Sequence, residues 1–180
     1  MYERVLGDCH PTVANALLTL GNTHFKQSKV PEARREIERA RSILVNALGE
    51  DNPSLAYVDL YLAAGSPDDD NSEREESLLR HALSVTKHAG PQFRRFRLRV
   101  MSYLARTLYR RDKRDEGEAM FRQVLDSVVN LFGPNHPGVA REMAEFAGLY
   151  NYSDEHEKAD TLYERCIAIY TEVYGERNTF

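Results

Sequence analysis

The chain has 180 residues, of which 42% are hydrophobic and 29% are charged, and its formal net charge is −4. This length and composition fit one folded domain, and the sequence lacks the run of about 18 apolar residues that a membrane-spanning helix needs. The two cysteines form no Cys-x-x-Cys pair, which argues against a disulfide framework and a cysteine-based zinc site. Residues 1–7 lack the basic and apolar segments of a secretory signal, so we expect a cytoplasmic protein.

A short connector phrase recurs along the chain at an interval of 42 residues. It reads Gly, two variable residues, His or Asn, Pro, one variable residue, Val or Leu, and Ala. Its copies are Gly7–Ala14, Gly49–Ala56 and Gly133–Ala140; Gly175 starts a fourth, and Gly90 stands near the remaining expected position. A fixed period of this size indicates a stack of equivalent units, none of which can bury its apolar face alone.

The first unit predicts two helices joined by a tight turn. Pro11 suits the first turn of a helix that should run to about Gln27, and a break at residues 28–31 precedes a second helix that ends near Leu48. Mostly apolar or small residues follow one face of each helix: Leu17, Leu20, Gly21 and His24 on the first, and Ala33, Ile37, Ala40 and Leu44 on the second. Small residues permit close approach, so we predict an antiparallel helical hairpin.

The later units keep this pattern to different degrees. Shifting the two faces by 84 and 126 residues again gives mostly apolar or small residues, such as Leu104, Ala105, Gly117, Phe121, Phe146, Ala147, Ala159 and Tyr163. The second unit is the poorest, because Asp59 falls on its inner face and residues 65–72 form a polar turn that shortens its first helix. We expect that turn to be the most mobile internal segment, since it has little to bury.

These units predict a single all-α domain over residues 1–180, with repeats at about 7–48, 49–89, 90–132 and 133–174. Residues 1–6 are similar to the close of the last helix and are predicted to end a preceding helix. Residues 175–180 are predicted to begin a further connector. Neither end shows a polar capping unit, so we expect exposed apolar ends that favour self-association.

The residue pattern within the units resembles the tetratricopeptide repeat (TPR). The matching residues are Leu20, Gly21, Ala33, Ile37 and Ala40 in the first unit, and Phe146, Ala147, Ala159, Tyr163 and Cys166 in the fourth. The 42-residue spacing and the connector phrase look like the kinesin light chain and nephrocystin variety. The resemblance implies a right-handed superhelical solenoid of about four antiparallel helix hairpins, which binds proteins and has no catalytic activity.

The same resemblance implies that the first helix of each hairpin lines a concave groove, where kinesin light chains bind short acidic peptides. The groove residues are then Asn15, Thr19, Asn22, Lys26, Tyr57, Tyr61, Arg99, Tyr103, Arg106, Arg110, Arg141 and Tyr152. Arginine can grip carboxylates, asparagine can bond to a peptide backbone, and tyrosine supplies apolar area, so we expect an acidic protein or peptide partner. A cytoskeletal or ciliary association follows from the family analogy alone.

Two alternatives to this groove stay open. The first and third units are basic and the second and fourth are acidic, so the arginines could instead pair with neighbouring units as a solvated face. The basic run at residues 94–99, with Arg106, Arg110 and Arg111, could also contact the phosphates of a nucleic acid or another anionic surface. No nucleic-acid motif accompanies that run, which makes the peptide interpretation the stronger one.

Catalytic motifs are missing from the sequence. It contains no His-Glu-x-x-His pair, no glycine-rich phosphate loop and no nucleophile elbow. Cys9 and Cys166 are interpreted as free thiols. The sequence therefore predicts a non-enzymatic interaction protein that needs no metal or cofactor.

Overall fold

The computed structural model describes residues 9–65 and 72–175, and within these ranges the chain forms eight α-helices and no β-strand. The helices are α1 (Pro11–Lys26), α2 (Val30–Leu48), α3 (Leu55–Ala64), α4 (Ser72–Thr86), α5 (Arg94–Arg110), α6 (Arg114–Phe132), α7 (Pro137–Tyr152) and α8 (His156–Tyr174), with a 3-10 turn at Pro91–Phe93. The predicted all-α fold is confirmed. The predictions for residues 1–6, Gly7, the polar turn at 66–71 and the tail at 176–180 lie outside the described residues.

The turns that close three of the hairpins share one backbone geometry. Ser28, Asp112 and Asp154 have φ values of 59°, 61° and 60°, in the left-handed region that reverses the chain after a helix. These residues lie at equivalent positions of the 42-residue period. The period read from the sequence is therefore also a period of backbone conformation.

The connector phrase ends one helix and starts the next. Its glycines adopt positive φ values of 83°, 93°, 89° and 74° at Gly49, Gly90, Gly133 and Gly175, which a side chain would strain. Further along the phrase, Nδ1 of His10, Oδ1 of Asn52 and Nδ1 of His136 each accept a hydrogen bond from the backbone N–H two residues later, at 3.2, 2.9 and 2.9 Å. His10 and His136 therefore cap α1 and α7, and Asn52 makes the same contact in the turn that leads into α3.

Small residues allow close contact within the hairpins, as predicted. A Cβ placed on Gly21 would lie 2.5 Å from Cγ1 of Ile37, on the facing helix α2. In the third hairpin the glycine is on the second helix instead, where a Cβ on Gly117 would lie 2.8 Å from the carbonyl oxygen of Ala105. In the fourth hairpin Ala147 and Ala159 occupy both positions and are buried. The two helices of each hairpin thus need small residues where they approach most closely. A glycine that faces backbone there, such as Gly117, cannot gain a side chain without moving the opposite helix.

The chain groups into two compact units, unit 1 (Met1–Val100) and unit 2 (Met101–Phe180). In unit 1, α1, α2 and α3 share one apolar core, to which Leu17, Ile37, Leu44, Leu55, Val58 and Leu62 belong. Leu20 was predicted to lie on the inner face, but 43% of it is exposed, so that prediction is wrong. Helix α3 has only 10 residues, which agrees with the predicted short first helix of this hairpin.

An ion cluster crosses the core of unit 1. Asp59 is completely buried on α3, and one carboxylate oxygen accepts a hydrogen bond from Nε of Arg41 on α2 at 2.9 Å. Its other oxygen lies 2.5 Å from Nδ1 of His81 on α4. Asp59 does interrupt the apolar face, as predicted, and the Arg41 guanidinium and the His81 imidazole on neighbouring helices explain how the buried carboxylate is tolerated.

The core of unit 2 is aromatic. Phe121 on α6 stacks on Phe146 on α7 with ring centroids 3.9 Å apart, and Tyr109 and Tyr150 meet the edge of Phe146 at 5.8 and 5.4 Å. Ala105, Ala147 and Ala159 complete this cluster. The cluster packs the end of α5 against α6, α7 and α8. It therefore holds these helices in place, and with them the side chains on the helix faces opposite the core.

Candidate peptide-binding face

In unit 1 the predicted residues of α1 lie opposite its core face. The buried side of this helix consists of Val13, Ala14, Leu17 and Gly21. Asn15, Thr19 and Lys26 are exposed on the other side, and Asn22 is half-buried. The hydroxyl of Thr19 donates to the carbonyl oxygen of Asn15 at 3.0 Å, so it is already occupied within the helix. The two asparagine amides and the lysine are the groups that α1 offers to a ligand.

Helix α3 adds aromatic surface beside α1. A Cβ on Gly65, at the end of α3, would overlap the ring of Phe25 near the end of α1, so these two first helices are neighbours. Most of α3 is buried, yet 42% of Tyr57 is exposed. Tyr61 is half-buried and packs against the unit 1 core. The first helices of consecutive hairpins thus present their predicted residues side by side in unit 1.

Tyr57 belongs to an aromatic cluster that the sequence analysis did not identify. Its ring centroid lies 4.3 Å from that of Phe96 and 6.0 Å from that of Phe93. Arg99 follows Phe96 by three residues on α5, which places both on one side of the helix. Arg99 is exposed and forms no ion pair with any residue in the described ranges. The helical spacing of Phe93, Phe96 and Arg99 is a signal that could have found this cluster.

In unit 2 two of the predicted arginines, Arg106 and Arg141, form ion pairs with glutamates. The guanidinium of Arg106 lies over the ring of Tyr103 at 4.6 Å and forms an ion pair with Glu145 on α7. Arg141 pairs with its neighbour Glu142 at 3.0 Å, and Glu142 also accepts a hydrogen bond from Ser102 at 2.7 Å. The structure therefore supports the open alternative for Arg106, which is paired with the acidic fourth hairpin rather than free.

The remaining predicted residues lie at the ends of helices in unit 2. Arg110 is exposed in the last turn of α5, and Tyr152 is largely exposed in the last turn of α7. Helices α5 and α7 adjoin through the Arg106–Glu145 and Ser102–Glu142 contacts. First helices of consecutive hairpins are thus neighbours in unit 2, as they are in unit 1.

A network of charged groups surrounds the aromatic core of unit 2. Hydrogen bonds from Lys158, at 2.6 Å, and from the hydroxyl of Tyr109 lower the pKa of Glu155. The Glu155 carboxylate in turn raises the pKa of Lys158. Burial, together with the charge of Glu118, raises the pKa of Tyr150 to about 12. These groups hold neighbouring helices together, so their shifted pKa values have a structural explanation.

Metal-ligand groups and the thiol of Cys166 are the two features of the described residues that bear on catalysis. Within them, no group of three or more His, Cys, Asp or Glu side chains is placed to hold a metal ion. Cys166 is buried, its Sγ donates to the carbonyl oxygen of Ala140 at 3.0 Å, and burial raises the pKa of its thiol, which makes it a poor nucleophile. Among the helices of residues 9–65 and 72–175, none is long and apolar enough to cross a membrane.

Comparison with protein families identifies the repeats. Tetratricopeptide repeat patterns match residues 96–176 and, separately, residues 13–54. The chain belongs to the tetratricopeptide repeat family. The resemblance predicted from the sequence is thereby confirmed, and the fold is one that generally serves as a protein-interaction scaffold.

Curated relatives share part of the chain. It is 30% identical over 129 residues to the clustered mitochondria protein homologs of Danio rerio and Homo sapiens, an alignment that covers 69% of the chain. The aligned region is 8% of the zebrafish protein and 9% of the human one, so the chain spans less than a tenth of these relatives.

Solved structures support the same fold. A crystal structure of nearly identical TPR-like repeats, ascribed to a Podosopora anserina kinesin light chain, matches with a TM-score of 0.78 and 20% identity over 95% of this chain and 81% of that one. BtubC (BKLC) from P. vanneervenii matches with a TM-score of 0.76 and 19% identity over 92% of this chain and 66% of that one. At these identities the likeness is one of fold, and it includes kinesin light chain-type repeats.

Proposed function

We propose that this chain is a cytoplasmic adaptor whose first helices bind an extended, acidic segment of a partner protein. The observation that carries this proposal is the exposed Tyr57, whose ring contacts Phe93 and Phe96; Arg99 follows Phe96 by three residues on α5. A half-exposed aromatic ring offers apolar contact area, and an arginine without a partner in the described ranges can bind a carboxylate bidentately. An acidic peptide with an apolar side chain would use both groups.

The engagement of Arg106 shifts the centre of the predicted groove. A peptide carboxylate that binds Arg106 must compete with Glu145, whereas one that binds Arg99 displaces no ion pair with a described residue. The peptide carboxylate and the Glu145 carboxylate would both be partly desolvated there, so their competition reduces the binding free energy that the peptide gains at Arg106. We therefore place the anchor of the peptide at Arg99 and Tyr57 rather than at Arg106.

The asparagines of α1 suit the backbone of the same peptide. Asn15 is exposed, Asn22 is half-buried, and each amide carries both a donor and an acceptor, which is what an extended strand presents at alternate residues. These contacts do not select a sequence. Selectivity for acidic segments would come from Arg99 and Lys26, and the aromatic cluster would favour an apolar residue between the acids.

A peptide panel tests the proposal. Fluorescein-labelled 12-residue peptides that combine Asp or Glu with one Leu or Trp are compared with versions in which Gln replaces every acid, using fluorescence anisotropy. We expect the acidic peptides to bind more tightly, and Arg99→Glu to weaken them by about 10-fold or more. The matched control is Arg35→Glu, an equally simple reversal at an exposed arginine on the second helix α2, which should change little.

Three results would contradict the proposal: equal binding of acidic and glutamine peptides, unchanged binding by Arg99→Glu, or an equal loss in Arg35→Glu. Preferential binding of a DNA or RNA oligonucleotide, with a steep dependence on salt, would instead support the phosphate-binding alternative. The paired exchange Arg106→Glu with Glu145→Arg preserves the ion pair in reverse. It should therefore affect peptide binding less than Arg99→Glu does, if Arg99 is the anchor.

A further inference from the structure

Helix α5 carries an arginine where the other hairpins bury an apolar residue. Arg97 is equivalent in the 42-residue period to Val13, Leu55 and Val139, which are at most 3% exposed. Arg97 is half-buried, and its Nε atom is buried with no hydrogen-bond partner in the described part of the chain. Burying a polar atom without a partner costs free energy, so packing alone would favour valine or leucine at this position.

The helical spacing directs Arg97 toward the start of α5. Phe93, the last residue of the 3-10 turn, and Arg94, the first residue of α5, precede Arg97 by four and three residues. Residues at these spacings lie on one side of a helix. Because helical side chains tilt toward the helix N-terminus, the guanidinium of Arg97 extends toward Phe93 and Arg94.

The aromatic cluster of Tyr57 therefore has an arginine on each side. Arg97 follows Phe93 on one flank, and Arg99 follows Phe96 on the other. Two helical residues at this spacing lie about 160° apart around the helix axis, so the two arginines reach in different directions. Tyr57, which is 42% exposed, contacts both rings between them. A peptide residue that packs on Tyr57 would thus have neighbours near a different arginine on each side.

Arg94 and Arg97 form a pair of like charges. Neither forms an ion pair with any residue in the described ranges, and the sequence contains no Asp or Glu from residue 77 to residue 111. Two guanidinium groups on one side of a helix repel each other, and a single carboxylate neutralises only one of them. A phosphate monoester carries a charge of about −1.5 to −2 at pH 7 and three acceptor oxygens, so it can bind both guanidinium groups.

We propose that the partner segment carries a phosphoserine or phosphothreonine whose phosphate binds Arg97 and Arg94. An apolar residue of the same segment packs on Tyr57, and an acidic residue binds Arg99. Because the phosphate site adjoins the peptide-binding face, it rests on the proposed function and names the class of segment that this face selects. The complex then depends on phosphorylation: the unphosphorylated segment keeps its contacts with Tyr57 and Arg99 but binds more weakly.

Three versions of one fluorescein-labelled peptide test the phosphate site by fluorescence anisotropy. Each contains an acidic residue, a Leu, and a variable residue beyond the Leu that is phosphoserine, Glu or Gln. Both chain directions are synthesised. We expect the phosphoserine peptide to bind about 10-fold or more tightly than the Glu peptide.

Arg97→Val should remove this preference for phosphoserine and leave binding of the Glu peptide within about 2-fold of wild type. Since Val13 and Val139 occupy the equivalent position, the variant should melt at or above the wild-type temperature, which circular dichroism measures. Arg94→Gln changes an exposed residue and should reduce the same preference, so it tests the site without altering the core. The matched control is Arg35→Val, which removes one positive charge from the exposed face of α2.

The outcomes separate the phosphate site from the peptide-binding face. If the phosphoserine peptide binds no more tightly than the Glu peptide, while Arg99→Glu still weakens both, the phosphate site is wrong and the peptide-binding face stands. If Arg99→Glu also has no effect, both are wrong. A preference that survives in Arg97→Val and Arg94→Gln, or that Arg35→Val removes equally, would overturn the assignment to these arginines. Tighter binding of an RNA oligonucleotide or of phosphoinositide vesicles through Arg97 would overturn the phosphopeptide as the ligand.

Discussion

Replacing Arg41 with leucine should destabilise the protein more than replacing its partner Asp59 with leucine. Asp59 is completely buried, whereas the side chain of Arg41 is 31% exposed. Arg41→Leu therefore leaves a buried carboxylate with His81 as its remaining described partner. Asp59→Leu leaves a guanidinium that can turn toward water. The two substitutions break the same ion pair and differ only in which charge is stranded.

The magnitude follows from this asymmetry. Removing one partner of a fully buried ion pair costs about 3–5 kcal/mol, and because His81 stays in place we expect about 2–3 kcal/mol for Arg41→Leu. For Asp59→Leu we expect about 0–1 kcal/mol, because the equivalent positions of the period hold Leu17 and Met143 and so accept an apolar side chain. In a chain of this size, the larger loss lowers the melting temperature by about 5–10 °C.

Urea unfolding at pH 7, followed by circular dichroism at 222 nm, measures both variants and their combination. The double variant carries leucine at both positions, as Leu125 on α6 and Met143 on α7 make both equivalent positions apolar, and it should recover most of the loss of Arg41→Leu. The reasoning is refuted if Asp59→Leu is the more destabilising single change. It is also refuted if the double variant is less stable than the sum of the two single effects predicts.

Three further predictions concern the helices themselves. Gly117→Ala should lower the free energy of unfolding by about 1–3 kcal/mol, because the new Cβ would meet backbone across the hairpin. Gly148→Ala should be neutral or slightly stabilising, because its Cβ would meet only the Tyr163 hydroxyl, at 3.8 Å. Urea unfolding compares the two variants. Because the pKa of Tyr150 is raised to about 12 in the folded state, stability should fall as pH rises from 10 to 12, and Tyr150→Phe should flatten that decline in pH-dependent melts. His136→Ala should cost about 1 kcal/mol, whereas His136→Asn should cost little, because Asn is a favoured N-cap residue and Oδ1 of Asn52 accepts the equivalent backbone hydrogen bond before α3. Equal losses would argue against the capping role.

The helices and turns were largely predictable because they depend on local chemistry. Pro11 and the connector glycines set the start and end of helices through backbone conformation, which neighbouring residues alone decide. Helix α1 ends one residue before the predicted Gln27, and α2 ends at the predicted Leu48. Leu20 was misjudged, because its burial depends on whether a neighbouring hairpin covers it rather than on its place in the helical period.

The candidate site was only partly predictable. The exposed positions of α1 followed from helical periodicity, since the side opposite a core face must meet solvent. The ion pair of Arg106 with Glu145 joins residues 39 positions apart, and periodicity could not say which arginines would form an ion pair with another described residue. The same holds for the contact of Tyr57 with Phe96, which requires α3 and α5 to lie side by side.

By itself the sequence determined the repeat, its period of 42 residues, and the helix, turn and cap residues within it, because each depends on backbone preferences over a few neighbouring positions. The tertiary structure alone decided that Asp59 is buried between Arg41 and His81, that Arg106 pairs with Glu145, and that Leu20 is 43% exposed. Burial and charge pairing arise from which helices meet. That meeting involves residues far apart in the chain, and no single unit encodes it.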